Sequence, residues 1–283
     1  MTGRGGIRGQ SGFALILVLW VLMIIGLLAA GYAHHTKTRV TDVRSHQTVV
    51  DLQWRSYAGL ALAIAEIERV KATGAASPDQ YACSFGDADV VAIIEDEQGK
   101  IDLNEVSPET VSALLVEMGT DKDDARQLAL RLADYLDPDD FSRSSGNEAT
   151  DFLQRGLAPP RNGRLISLRD LAGIPGWRQI SMQEISQHAT VHSGRRQVDP
   201  ASASDTVRTV LTNLGAAPEN TKASAKARFT VRMAASREQD AQVSSVVVFE
   251  TRPDLPTGYR VLEWQDETGP TVTPIINSCE RMN

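Results

Sequence analysis

The residues with the clearest capacity for chemistry are a run of hard oxygen donors, Asp134-Tyr135-Leu136-Asp137-Pro138-Asp139-Asp140, followed by Asn147, Glu148 and Asp151 on a stretch rich in Ser and Gly. Calcium takes about six to eight oxygens, mostly carboxylates and carbonyls, so Asp137, Asp139, Asp140, Glu148 and Asp151 form a candidate Ca2+ set. The spacing is not that of an EF-hand, whose loop needs a glycine at its sixth position, and a solvated acidic loop is the plain alternative. His188 and His192 stand four apart, a spacing that can hold zinc on a helix. No third ligand lies nearby and the neighbours are β-branched, so the pair reads as surface histidines. Cys83 and Cys279 are the only cysteines, a candidate disulfide if this part of the chain faces an oxidising compartment. No nucleophile elbow, phosphate-cradling loop or metalloprotease helix is present in the sequence. No enzymatic role is expected and no cofactor is required, a structural calcium ion being the one candidate.

Leu168 to Gly176 reads LRDLAGIPG, similar to a helix-hairpin-helix turn, which in DNA-binding proteins offers backbone N–H groups to a phosphate. Charge speaks against that use: 29 Lys+Arg against 36 Asp+Glu give a net charge of −7, the wrong sign for a chain that holds polyanions. A membrane-anchored periplasmic DNA-binding or uptake protein is therefore the alternative reading, and a signal-anchored binding module is a third. Nucleic acid is not an expected partner.

The elements that must position these residues begin with 13–33, FALILVLWVLMIIGLLAAGYA, which carries no charge and at 1.5 Å per residue reaches about 30 Å, enough to cross a bilayer core. Arg4 and Arg8 precede it without an acid, which favours a cytoplasmic N-terminus, although Lys37, Arg39 and Arg44 follow it. Beyond the span, Val50, Trp54, Tyr57, Ala61 and Ile64 recur at spacings of three and four, and no proline occurs before Pro78. The pattern predicts one helix over 13–72. Its stripe Trp54, Tyr57, Ala61 and Ile64 is expected to pack on a sheet and to serve as the face toward partners. Val90 to Glu95 reads as a buried strand, Gln98-Gly99 as a turn, and Lys100 to Leu103 as a second strand. Alternating or β-branched runs at 228–234, 243–249 and 258–264 add strands near the C-terminus.

Helical signals fill the middle. Ser107-Pro108-Glu109 opens a helix that Gly119 closes, and Asp123 to Leu136 is a second, with leucines at spacing four. Leu168 to Leu171 begins a third. IDLNEVSPETVSALL (101–115) aligns with VDPASASDTVRTVL (198–211) if Pro108 is removed, setting Asp102 on Asp199, Ser107 on Ser204 and Gly119 on Gly215. Long helix first, antiparallel strands last, with a helical stretch between: the fold class is α+β.

The join Gly12-Phe13 ahead of an unbroken apolar run resembles the type III signal of type IV pilins and pseudopilins. Leu17 stands where most members of that family carry a glutamate, a departure that looks like the K-type minor pseudopilin of type II secretion. EDEQGKIDLN (95–104), DYLDPDD (134–140), GNEATDF (146–152) before Pro159-Pro160, and LISLRDLAGIPG (165–176) are similar to that family as well. The resemblance implies a pilin-like long N-terminal helix packed on an antiparallel sheet, with a large all-α insertion of helix-hairpin-helix/SAM-like type. It implies a leader at 1–12 cleaved after Gly12, with Phe13 N-methylated. The other expected parts are a membrane half of the helix at 13–33, a periplasmic half at 34–72, sheet segments at 73–104 and 223–283, and an insertion at 105–222. It further implies single-pass residence in the inner membrane with the bulk of the chain periplasmic. The expected role is to cap and help initiate the pseudopilus. Expected partners are the I-type and J-type minor pseudopilins, other pseudopilins, the prepilin peptidase and the inner-membrane secretion platform. Calcium-bound members of the family lend weight to the acidic loop.

Overall fold

A computed structural model of the chain describes residues 11–73, 80–139, 141–143, 148–215, 227–237, 241–267 and 280–282; within the first helix, the side chains of 11–14 and 33–45 lie outside that description. The first helix, α1 (Ser11–Thr73), runs 63 residues without a break. That is about 95 Å at 1.5 Å per residue. Its first part, Leu15–Tyr32, is apolar on every side and wholly exposed, the condition of a helix whose solvent is lipid.

The far half of α1 lies on a six-stranded sheet. Its strands are β1 (Gln80–Phe85), β2 (Ala88–Asp96), β5 (Arg228–Arg237), β6 (Ala241–Thr251), β7 (Tyr259–Glu267) and β8 (Glu280–Met282), in the spatial order β7-β6-β5-β2-β1-β8. Every neighbour pair is antiparallel, with Val90 opposite Ala235 and Ile94 opposite Val231 at the centre. Because side chains alternate along a strand, the sheet has two chemically different faces. Ala92, Ile94, Val231, Met233, Val247 and Phe249 point to α1 and close over Leu60, Ala63 and Ile67. Thr230, Arg232, Glu95, Glu263 and Gln265 alternate with them and point the other way, toward the helical insertion.

The insertion occupies the chain between β2 and β5. It holds β3 (Ile101–Asp102), α2 (Pro108–Glu117), α3 (Lys122–Leu136), α4 (Glu148–Gln154), α5 (Met182–His188), β4 (Ala189–Thr190) and α6 (Asp205–Asn213). Leu114, Leu115, Leu128, Leu132, Leu171 and Trp177 centre a core of its own, separate from the one under α1. Its helices start where local chemistry dictates. Ser107 caps α2 with Pro108 in the first turn, Asp121 caps α3, and Ser204 caps α6.

One expectation is corrected and two details are added. Ile101-Asp102 does not return beside β2; it pairs in parallel with Ala189-Thr190, because a 3-10 turn at Glu97–Gly99 turns the chain off the sheet. The segment at Leu168–Gly173 is a 3-10 helix closed by a Ser167/Asp170 capping box, not an α-helix. The strand β1, which no alternation in the sequence marks, forms a hairpin with β2 through Gly86, whose φ of +68° favours glycine. The internal repeat has a structural counterpart. Asp102 and Asp199 each accept the backbone N–H two residues on, at 2.9 and 3.0 Å, and Gly119 and Gly215 both take positive φ at the helix ends.

Candidate functional site

The stripe expected to pack on the sheet does not. Leu52, Ser56, Leu60, Ala63 and Ile67 take the buried face of α1, whereas Trp54 is 69% exposed, Tyr57 lies at the boundary of exposure and Ala61 is exposed; Ile64 alone of the four predicted residues packs partly on the core. The reason is side-chain size. A Cβ on Gly59 would come within 2.8 Å of Val90 Cγ1, so the helix approaches β2 along small residues, and the bulky stripe is rotated off the sheet. Trp54 and Tyr57 instead stack edge to face at 5.4 Å, and Tyr57 meets Trp264 of the edge strand β7 at 4.9 Å. An exposed aromatic ladder therefore joins the helix that continues from the apolar span to the outer edge of the sheet. Aromatic rings of this kind are common anchors of protein–protein contact.

The helix is fixed to the sheet on the side nearer the apolar span by charge. Asp51 receives Arg55 at 2.9 Å and Arg237 of β5 at 2.5 Å, and Arg55 also reaches Asp87 in the β1–β2 turn at 3.1 Å.

EDEQGKIDLN (95–104) is the hinge between sheet and insertion. Lys100 is buried and lies 2.5 Å from Glu95 and 2.7 Å from Glu97, while Arg232 of β5 reaches Glu95 at 2.9 Å. Burial alone would raise the Glu95 carboxyl, but Lys100 and Arg232 outweigh it and hold it below the usual glutamate range. Burial would lower the Lys100 ammonium, and Glu97 and Glu95 together raise it instead. Glu97 also accepts Thr230 of β5 at 2.8 Å and Thr190 of β4, so it touches both bodies. Asp102 accepts Gly194 N–H at 2.6 Å and Ser193 Oγ at 3.1 Å; Asn104 donates to the carbonyls of Leu165 and Val191 and accepts Leu165 N–H. The motif is legible as a signature, but what it does, binding a helical unit to a sheet through buried polar groups, is decided by these contacts.

The same polar seam accounts for the histidines. His188 ends α5, with Nδ1 2.9 Å from Ser204 Oγ, and His192 lies beyond β4, with Nε2 2.7 Å from Glu263 of β7. They share no helix, and both are part-buried rather than at the surface. Burial would raise the Glu263 carboxyl, but hydrogen bonds from His192, Ser167 and Gln265 hold it low.

At the hairpin, the amides of Ile174 and Trp177 donate to Leu171 and Ile174 carbonyls, and Trp177 Nε1 donates to Leu128 O at 3.0 Å. Arginines stand close by, yet Arg131 and Arg178 donate to the carbonyls of Pro175 and Ala172, and Arg161 faces Asp170 at 3.6 Å. Ile174, Pro175 and Trp177 are buried, so the turn is spent on packing rather than on offering amides to a phosphate.

The candidate calcium residues are only partly described. Asp140 and the Glu148 side chain lie outside the described residues, as does Asn147. Asp137 pairs with Arg143; Asp151 pairs with Arg155 at 3.0 Å and Arg131 at 4.0 Å; Asp139 Oδ1 accepts Phe141 N–H at 2.9 Å. Each described carboxylate thus has its own partner, and among the described residues no three metal-binding side chains converge. Cys83 is buried on β1 and disulfide-bonded; Cys279 lies outside the described residues. Gly12 and Phe13 fall in the first turn of α1, and Leu17 is half-exposed on the apolar span.

Among the described residues one apolar helix is long enough to cross a membrane, and it continues onto an antiparallel sheet that is interrupted by a helical unit, an architecture that fits a single-pass anchor. Residues 89–194 match the family model described as Type II secretion system (T2SS), protein K. The solved structure titled as the crystal structure of the GspK-GspI-GspJ complex from enterotoxigenic Escherichia coli Type 2 Secretion System contains a chain of similar fold. The TM-score is 0.64 at 14% identity, over 80% of this chain and 99% of that one. No curated protein matches the sequence. Residues 89–194 are thus similar to the type II secretion protein K family, within a chain whose fold is that of the matched chain of this complex. The match ends at Gly194, ahead of α6.

Proposed function

We propose that this chain is a minor pseudopilin of type II secretion that caps and helps initiate a periplasmic pseudopilus beside I-type and J-type neighbours. In this reading the leader ends at Gly12, Phe13 begins the mature chain, and the inner membrane holds 13–33 until assembly. The observation that carries the proposal is the exposed Trp54–Tyr57–Trp264 ladder on a helix continuous with a wholly exposed apolar span. Both surfaces need cover: lipid and then neighbouring helices for the span, partner subunits for the ladder. Leu17 supports a place at the tip. A carboxylate in the hydrocarbon core is tolerated when it pairs with a neighbour's charge, and a subunit with no neighbour ahead of it has no such pair. The two-body head, sheet plus insertion, adds width that would obstruct a further subunit stacked above it.

The test is the mass of the N-terminus from membranes with and without the prepilin peptidase, combined with co-purification of the I-type and J-type subunits of the same genome. N-methylated Phe13 only in the presence of the peptidase, with both partners retained, is the expected result. An uncut Met1 in both membranes, or no retained partner, would remove the tip assignment.

A further inference from the structure

The acidic loop after α3 already contains a cation of its own. Asp134 is the most deeply buried carboxylate of that loop, its side chain only 3% exposed, and burying an ionised carboxylate is costly unless it is paired and hydrogen-bonded. Three donors from nine residues or fewer down the chain meet it. Arg143 Nη1 reaches Oδ1 at 2.9 Å, the Arg143 backbone N–H lies 3.1 Å from both oxygens, and Ser142 Oγ donates to Oδ2 at 3.0 Å. The same guanidinium nitrogen contacts Asp137 Oδ2. One positive group therefore stands between the two carboxylates that end α3, the place a divalent ion would take if this loop bound metal.

We propose that the guanidinium of Arg143 is the resident cation of this loop, so that the chain closes its acidic segment without a divalent metal ion. The chemistry is specific. A guanidinium presents a planar fork of N–H donors to carboxylate oxygens and keeps its charge at every physiological pH, and it is tethered, so no ion has to be captured from solution. Asp137 Oδ1 remains without a donor. Removing the guanidinium would leave Asp137 Oδ2 and the Asp134 carboxylate facing the same vacated position, a pair of hard ligands suited to calcium. The proposal rests on these residues alone and stands independently of the assembly role.

The test uses the full chain in detergent micelles, with thermal unfolding followed in EDTA and in millimolar calcium chloride. The unsubstituted protein is expected to unfold at the same Tm in both, whereas an ion bound at about a hundredfold its Kd would raise Tm by about 5 °C or more. Arg143→Gln is expected to lower Tm in EDTA and to recover part of the loss in calcium. A calcium-dependent Tm in the unsubstituted protein would overturn the proposal. So would an Arg143→Gln Tm that calcium does not move, which would reduce Arg143 to an ordinary ion pair. If Arg143→Gln does not fold in either buffer, Arg143→Lys, which keeps the charge, decides: a Tm unmoved by calcium supports the resident cation, and a Tm raised by calcium rejects it.

Discussion

The ring of Tyr57, on the long helix, meets the ring of Trp264, on the edge strand β7, edge to face at a centroid separation of 4.9 Å. Trp54 extends the pair one helical step farther from the sheet and is 69% exposed. Because so little of Trp54 is buried, its removal should leave the fold nearly untouched. Trp54→Ala is expected to shift Tm by no more than the effect of a surface substitution, about 0.5 kcal/mol. Under the proposed assembly role, its affinity for I-type and J-type heads should fall by about 2 kcal/mol, the usual cost of truncating an aromatic anchor. Titration of the partners against both proteins, with Tm measured in parallel, separates the two effects. Equal affinities would place the interface elsewhere.

Gly99 sets the distance between the end of β2 and the Ser202-Ala203 segment ahead of α6. A methyl group added there would overlap the backbone carbonyl of Ser202, which cannot rotate away as a side chain could. Gly99→Ala should therefore destabilise the chain by about 1–3 kcal/mol, the range for overpacked sites. It should also raise amide exchange in α6 more than in α3, whose packing lies elsewhere. Uniform exchange across both helices would contradict this placement.

The Lys100 seam predicts pH behaviour with a definite sign. The carboxyls of Glu95 and Glu263 are held below the ordinary glutamate range, so each contributes stability above its unfolded pKa and loses it as pH falls through the folded value. Asp96 and Asp102 act in the opposite direction, because burial raises both and acid relieves that cost. The seam should consequently weaken only below the usual glutamate range and hold at neutral pH. Glu263→Gln, which keeps the shape and removes the charge facing His192, is expected to flatten the acid limb of a Tm-against-pH curve. An unchanged acid limb would show that this carboxylate contributes nothing to it.

Lys100 is also where truncation should cost most. Lys100→Ala leaves Glu97 and part of Glu95 buried without their cation, a change of about 3–5 kcal/mol for a buried pair. Lys100→Met fills the volume but not the charge, and should be comparably damaging because both carboxylates remain. Combining Lys100→Met with Glu97→Gln should recover part of the loss. Denaturant unfolding of Lys100→Met, Glu97→Gln and the double variant gives the coupling directly, and strict additivity would argue against a shared network.

Cys83 is disulfide-bonded and the chain contains one other cysteine, Cys279. Non-reducing peptide mapping should find the two joined. Cys83→Ser should lower stability by about 2–4 kcal/mol, since the bond would close most of the chain into one loop. A free thiol count of two in the untreated protein would refute the pairing.

Elements whose causes are local are legible in the amino-acid sequence by itself. The uncharged run ahead of Ala33 requires a lipid-like surrounding wherever it is placed, the β-branched runs of β2, β5, β6 and β7 favour extended chain, and Ser107, Pro108, Gly119 and Ser204 bound their helices through bonds within four residues. The acidic loop and the EDEQGKIDLN motif are likewise visible as concentrations of chemistry. What they do is not, because a carboxylate's role depends on what is brought to it. Arg143, not a metal ligand, sits between Asp134 and Asp137, and Arg232, some 137 residues from Glu95 in sequence, completes the hinge. The buried face of α1 escapes sequence reasoning for a related cause. Periodicity identifies the stripe of Trp54, Tyr57, Ala61 and Ile64, because hydrophobicity ranks Trp54 and Tyr57 above Gly59 and Ala63. Only the sheet decides between them, and it selects the face that lets two backbones approach, leaving the larger rings exposed. Packing selects by shape at contact distance, a property of two surfaces together and therefore absent from either sequence segment alone.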